Sequence, residues 1–144
     1  MKSVDRWVSP AIRALSAYHV PPAEGLVKLD AMENPYTLPE ELREAWLQRL
    51  GQVDINRYPD AGAQQLKTRI RDVFEIPQKC GLVLGNGSDE LIQMTASLVG
   101  GPGRTFLAPA PSFSMYEIIS LTTSTDFMEI SLNQDFTPDQ SEFI

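Results

Sequence analysis

An α/β fold, with a mostly parallel sheet flanked by helices, is what this chain predicts, and three observations carry the prediction. The apolar runs Gly81-Leu82-Val83-Leu84 and Thr105-Phe106-Leu107-Ala108 each have the length of a buried strand. Between them Leu91, Ile92, Thr95, Leu98 and Val99 recur at helical spacing, until Gly100-Gly101-Pro102-Gly103 stops the helix. Strand, helix, strand over this length is a βαβ unit, whose parallel strands need a right-handed crossover.

The other elements follow in order. Val4 to Leu15 carries Val8, Ile12 and Leu15 at helical spacing, with Pro10 tolerable only near the first turn. Tyr18-His19-Val20-Pro21-Pro22 reads as an extended arm, because the prolines bar a helix. Leu26 to Ala31 alternates weakly, as a short strand does, and Met32-Glu33-Asn34-Pro35-Tyr36 is a turn. Pro39 opens a helix at its first position, where its missing N–H had no partner to lose, and Glu40 and Glu41 suit the positive end. Leu42, Ala45, Trp46 and Leu50 share one face of that helix, and Gly51 ends it. Asn56-Arg57-Tyr58-Pro59-Asp60 is a loop, either a solvated turn or a binding loop. A second helix carries Leu66, Ile70, Val73 and Phe74 and is ended by Pro77. Beyond the βαβ unit, Ser114 to Leu121 is predicted as a helix and Asp126 to Leu132 as a strand.

Composition narrows the function classes. With 144 residues, 42% of them hydrophobic, the chain is long enough to bury one core. A net charge of −7 argues against a nucleic-acid binder, which would show a basic face. No apolar run approaches the ~20 residues that span a bilayer, and no signal-peptide core is visible at the N-terminus, so the expected compartment is the cytoplasm. Cys80 and His19 are each the only residue of their kind, which excludes an internal disulfide and a cysteine or histidine cluster for a metal.

The chemistry concentrates at Gly85-Asn86-Gly87-Ser88-Asp89-Glu90. A strand that breaks at glycines and turns straight into a helix leaves backbone N–H groups free at the positive end of the helix dipole, which suits a phosphate. Gly-Asn-Gly is equally the composition of an ordinary tight turn, since both residue types tolerate positive φ. The dinucleotide fingerprint fails because Glu90 stands where its third glycine belongs, and a P-loop fails because no Gly-Lys-Ser/Thr follows. What remains is a cup of backbone amides, with the carboxylates of Asp89 and Glu90 expected to turn away from the anion. Ligands of parallel sheets lie at the carboxyl ends of strands, where Pro109-Ala110-Pro111-Ser112-Phe113 also falls, so the Phe113 ring is expected beside the same crevice.

In order and spacing, Leu29-Asp30-Ala31-Met32-Glu33-Asn34-Pro35-Tyr36, Arg57-Tyr58-Pro59-Asp60, Gly85-Asn86-Gly87-Ser88-Asp89-Glu90-Leu91-Ile92 and Pro109-Ala110-Pro111-Ser112-Phe113-Ser114-Met115-Tyr116 resemble the histidinol-phosphate aminotransferases. Met32 departs from the family, which usually has asparagine there, but Asn34 is in place. The resemblance covers essentially the whole chain and implies a pyridoxal-phosphate enzyme of the aspartate-aminotransferase-like fold, PLP fold type I. It implies a homodimer that transaminates histidinol phosphate with 2-oxoglutarate or glutamate in histidine biosynthesis. Residues 1–35 would then be the N-terminal arm and part of the small domain, and residues 36–144 an incomplete cofactor-binding large domain. Threonine-phosphate decarboxylases share a similar front half, and a non-catalytic phosphate-binding or dimerisation module is the other alternative.

Position by position, the resemblance implies that Gly87, Ser88 and Asp89 form the cofactor-phosphate cup. Phe113, where the family often has tyrosine, is implied to stack on the pyridine ring. Tyr58 is implied to reach the cofactor phosphate of the other subunit, Tyr18 to contact the phosphate of histidinol phosphate, and Asn34 to lie in the substrate site. The family's covalent lysine, the acid at the ring nitrogen and the carboxylate-binding arginine come later than residue 144. None of Lys2, Lys28, Lys67 and Lys79 lies in the family's lysine context, so no catalytic residue is expected in this chain. The chain alone is expected to be inactive and only marginally folded.

Overall fold

A computed structural model describes residues 6–17, 22 and 24–143. Their contacts divide the chain into two compact units, one of residues 19–82 and the other of residues 83–144 with the N-terminal segment. No helix of the described residues is long and apolar enough to cross a membrane.

The unit of residues 19–82 holds two helices, α1 (Glu40–Leu50) and α2 (Gln64–Val73). Pro39 is the cap of α1 and lies one position before the helix, while Glu40 and Glu41 occupy the first turn as expected. The Gly51 N–H closes α1 on the Leu47 carbonyl at 3.0 Å. α2 ends at Val73, ahead of Pro77, through a Schellman turn: Glu75 takes φ +52° and the Ile76 N–H reaches the Arg71 carbonyl at 3.0 Å. Arg71 then holds the following loop, its guanidinium donating to the carbonyls of Pro77 at 2.6 Å and Cys80 at 2.9 Å. None of this unit's described residues is buried.

The second unit contains a short N-terminal helix, α3 (Pro10–Ala14), then α4 (Gly87–Val99), β1 (Thr105–Ala110), α5 (Met115–Thr122) and β2 (Asp126–Ser131). α3 is five residues long, shorter than the Val4 to Leu15 helix expected; Pro10 stands at its first position, and the Ser9 hydroxyl oxygen accepts the Ile12 N–H at 3.3 Å. β1 and β2 pair in parallel, Thr105 beside Asp126 through Ala110 beside Ser131, with α5 as the crossover. α5 packs on β2, α4 and α3. The core consists of Ala96 from α4, Ala108 from β1, Ile119 from α5 and Ile130 from β2.

Two sequence expectations change. Gly81–Leu84 forms no strand, with Val83 70% exposed, and neither does Leu26–Ala31. A strand exists only as a member of a ladder, and no described residue pairs with either segment. The observed βαβ unit is therefore the next one along, β1-α5-β2. β1 also runs beyond Ala108, the end of the expected apolar run, through Pro109 to Ala110. The reason lies in the ladder: Asp126 N–H bonds the Arg104 carbonyl and Leu132 N–H the Ala110 carbonyl, so the even-numbered peptides of β1 face β2. Pro109 is odd, and its missing N–H falls on the opposite, open edge.

Gly100 and Thr125 join the end of α4 to the start of β2. The Gly101 N–H donates to Thr125 Oγ1 at 2.9 Å, and Thr125 Oγ1 lies 3.0 Å from Thr123 Oγ1. The turn from α5 into β2 is another Schellman turn, with Ser124 at φ +56° and the Thr125 N–H on the Ser120 carbonyl at 2.9 Å.

Candidate functional site

The glycine bend ends as anticipated, in the first turn of a helix. Gly87, Ser88 and Asp89 open α4, so their N–H groups lack the acceptors a helix interior would give them. Asn86, the cap residue, makes no side-chain cap bond. Asn86, Gly87 and Ser88 are exposed, and Asp89 is half-buried. Gly87 sits at φ +82° with nothing within 4 Å of where a Cβ would stand, so conformation and not space selects glycine there. The thirteen-residue helix that these amides open aligns its peptide dipoles toward the same point. An anion is the ligand this arrangement fits, and the bend lies open to solvent.

Gly85 is glycine for the opposite reason. A Cβ on it would stand 2.9 Å from Leu91 Cγ and 3.1 Å from Glu90 Oε2. Glu90, expected to turn away from the bend, instead folds back over it, and its Oε2 accepts the Asn86 N–H. A carboxylate in the first turn is drawn to the nearest unsatisfied amide by the same dipole that draws a phosphate. The Ser88 hydroxyl is 3.4 Å from Asp89 Oδ1.

Phe113 follows the carboxyl end of β1 and is 43% exposed. Its ring meets Tyr116 edge to face, centroids 5.9 Å apart and planes at 88°. Ser112 and Tyr116 line a cleft of about 480 Å³ that also touches Leu91, Thr95, Phe106 and Pro109. The Thr95 hydroxyl is taken by the Leu91 carbonyl at 2.8 Å and the Ser120 hydroxyl by the Tyr116 carbonyl at 2.7 Å, so this cleft is an apolar packing face. Gly87, Ser88, Asp89 and Phe113 do not line it.

In the other unit, Tyr58 is fully exposed at 102%, with no surface taken up by its neighbours. Asn34 is exposed, and its Oδ1 accepts the Tyr36 N–H at 3.0 Å, leaving its NH₂ group outward. Asp60 has a structural task that sequence reading missed. Its carboxylate accepts the Gln64 N–H at 3.0 Å and the Gly62 N–H at 3.0 Å, capping α2 where Ala63 has no side chain able to do so. Those bonds, Gln64 first, hold its pKa below the ordinary aspartate value. An aspartate four residues ahead of a helix, with glycine between, was the available signal. Tyr18 lies outside the described residues.

Comparison with known proteins agrees with these motifs. Residues 24–143 match the family model for aminotransferase class I and II. The chain is 51% identical over 136 residues to histidinol-phosphate aminotransferase 2 of Nitrosococcus oceani, covering 94% of this chain and 38% of that protein. It is 46% identical over 132 residues to the histidinol-phosphate aminotransferase of Thiocapsa roseopersicina, covering 92% of this chain and 70% of that sequence. The crystal structure of the histidinol-phosphate aminotransferase from Clostridium acetobutylicum superposes with a TM-score of 0.63 at 24% identity, over 76% of this chain and 31% of that one, which supports the α/β fold. Aminotransferases of this kind use pyridoxal phosphate. The exposed amide turn, the motifs around it and the extent of these matches agree: this chain belongs to the class I and II aminotransferases and, among them, to the histidinol-phosphate aminotransferases.

Proposed function

We propose that this chain supplies the cofactor-phosphate cup and part of the substrate site of an enzyme that moves an amino group between histidinol phosphate and 2-oxoglutarate or glutamate. The observation that carries the reading is the first turn of α4, whose Gly87, Ser88 and Asp89 amides lie without a side-chain cap in a chain 51% identical to a histidinol-phosphate aminotransferase. When bound, pyridoxal phosphate supplies the electron sink for the negative charge that develops beside the substrate nitrogen.

The chain's own residues bind and orient. The Gly87, Ser88 and Asp89 N–H groups donate to the cofactor phosphate, neutral donors that add no competing nucleophile. Phe113 lies against the pyridine ring and fixes its plane, an offset stack worth ~0.5–1.5 kcal/mol beyond burial. Having no hydroxyl, it makes no hydrogen bond in that position. Tyr58, uncovered within its own unit, donates its phenol to the phosphate held by the other subunit of a homodimer. Tyr18 takes the substrate phosphate and Asn34 the substrate beside it. Residues 1–35 serve as arm and part of a small domain, residues 36–144 as the front of the large domain, and the compartment is the cytoplasm.

Equilibrium titration with pyridoxal phosphate and, separately, with pyridoxal tests the reading. The phosphorylated ligand is expected to bind at least about tenfold tighter, a difference of ~1.4 kcal/mol, and inorganic phosphate to compete with it. Equal affinity for the two ligands overturns it.

A further inference from the structure

We infer that Glu90 is a positioning residue for the phosphate cup, a role that rests on the cofactor reading above and deepens it. Two observations converge on it. The Glu90 carboxylate accepts the Asn86 N–H across the bend. Gly85 is the residue whose lack of a Cβ leaves room for that fold-back, since a methyl there would stand 3.1 Å from Glu90 Oε2 and 2.9 Å from Leu91.

The physical consequence is a division of the donors. Asn86, Gly87, Ser88 and Asp89 all bring N–H groups to the start of α4, and an unrestrained Gly-Asn-Gly bend has many conformations in which they do not converge. Binding an anion to such a bend must first order it. By holding the Asn86 N–H, Glu90 fixes the residue that precedes Gly87 and leaves the first-turn amides of Gly87, Ser88 and Asp89 to an anion. The cup is thereby shaped before the ligand arrives. Asn86 cannot do this itself, because its own side chain makes no cap bond. Asp89 does not either: its Oδ1 lies 3.4 Å from the Ser88 hydroxyl.

The comparison that tests this uses wild type, Glu90→Gln and Glu90→Leu in the whole chain, with two readouts. Glu90 is exposed, so neither variant disturbs the core, and far-ultraviolet circular dichroism checks that the helices persist. The first readout is hydrogen exchange at the Asn86 amide with no ligand present. It is expected to quicken about tenfold in Glu90→Leu, the scale of one lost hydrogen bond to a charged group, and to stay within about threefold of wild type in Glu90→Gln, which keeps a side-chain carbonyl. The second is the ratio of pyridoxal to pyridoxal phosphate dissociation constants, expected to fall several-fold in Glu90→Leu and to be restored in Glu90→Gln. Unchanged exchange in Glu90→Leu, a Glu90→Gln variant as fast as Glu90→Leu, or an unaltered ligand ratio overturns the inference. A failure of the cofactor reading shows elsewhere, in wild type alone, as a ratio near unity; that result removes the cup and with it the role given to Glu90.

Discussion

At Gly100, where α4 ends, a Cβ would collide with the Ala96 carbonyl oxygen and with Thr125 Oγ1. The carbonyl is backbone and cannot step aside, and Thr125 is held by the Gly101 N–H, so the whole junction would have to move. Gly100→Ala is expected to destabilise this unit by about 2 kcal/mol, in the range of overpacking in a filled site. Hydrogen exchange checks it: amides of β1, α5 and β2 should lose protection relative to wild type. Neither this constraint nor the Asn86–Glu90 bond could be read from sequence. Gly100-Gly101-Pro102-Gly103 announces a helix stop whichever glycine is sterically required, and only Thr125, far along the chain, singles out Gly100. By contrast, the bend and the helix start that follows it were legible, because a glycine at positive φ, the helix behind it and the bend between them are all local.

At the scale of elements, the helices were legible where apolar spacing and breakers agreed, as in α1, α2, α4 and α5. Strands were legible only where a partner exists: β1 and β2 formed, while Gly81–Leu84, with an equally apolar run, stayed single. A helix satisfies its own peptides and a strand does not. α2 also owes its start to a residue outside the helix, and this gives it a dependence on pH. Asp60 accepts from Gln64 and Gly62, and its folded pKa is below its unfolded value. Its contribution is therefore fully present above the unfolded pKa of about 4 and is lost as pH falls through the folded value. Acid titration followed by α2 amide shifts should show fraying as pH falls below the unfolded value and through the lowered folded one, and Asp60→Asn should flatten that part of the curve. Asp30, Asp135 and Asp139 are lowered too, by bonds from Lys28, Thr137 and Ser141, so the difference between variant and wild type is the quantity to read. Equal curves for the two proteins would refute the assignment.

Considered whole, the chain spans 38% of the length of the Nitrosococcus relative and presents a great deal of apolar surface for its size. Four apolar side chains are buried among the described residues, all in one unit, and the sheet has two strands with β1's outer edge open. Two strands against a helix can persist, but burial on this scale offsets little of the ~1–2 kcal/mol of backbone entropy that each ordered residue loses. Leu29 at 83% and Met32 at 97% exposure, in the segment that carries Asn34, show how little of the other unit is covered. The expected behaviour of the isolated 144-residue chain is a broad, weakly cooperative thermal transition, bound anilinonaphthalene sulfonate and concentration-dependent association through open edges and apolar faces. The cup, being made of one helix terminus and the bend before it, needs less of the fold than the core does. Weak pyridoxal phosphate binding should therefore persist, without a linkage that borohydride can fix to Lys2, Lys28, Lys67 or Lys79. A sharp calorimetric transition with no dye binding would contradict the first expectation, and a borohydride-fixed cofactor on any of those lysines the second.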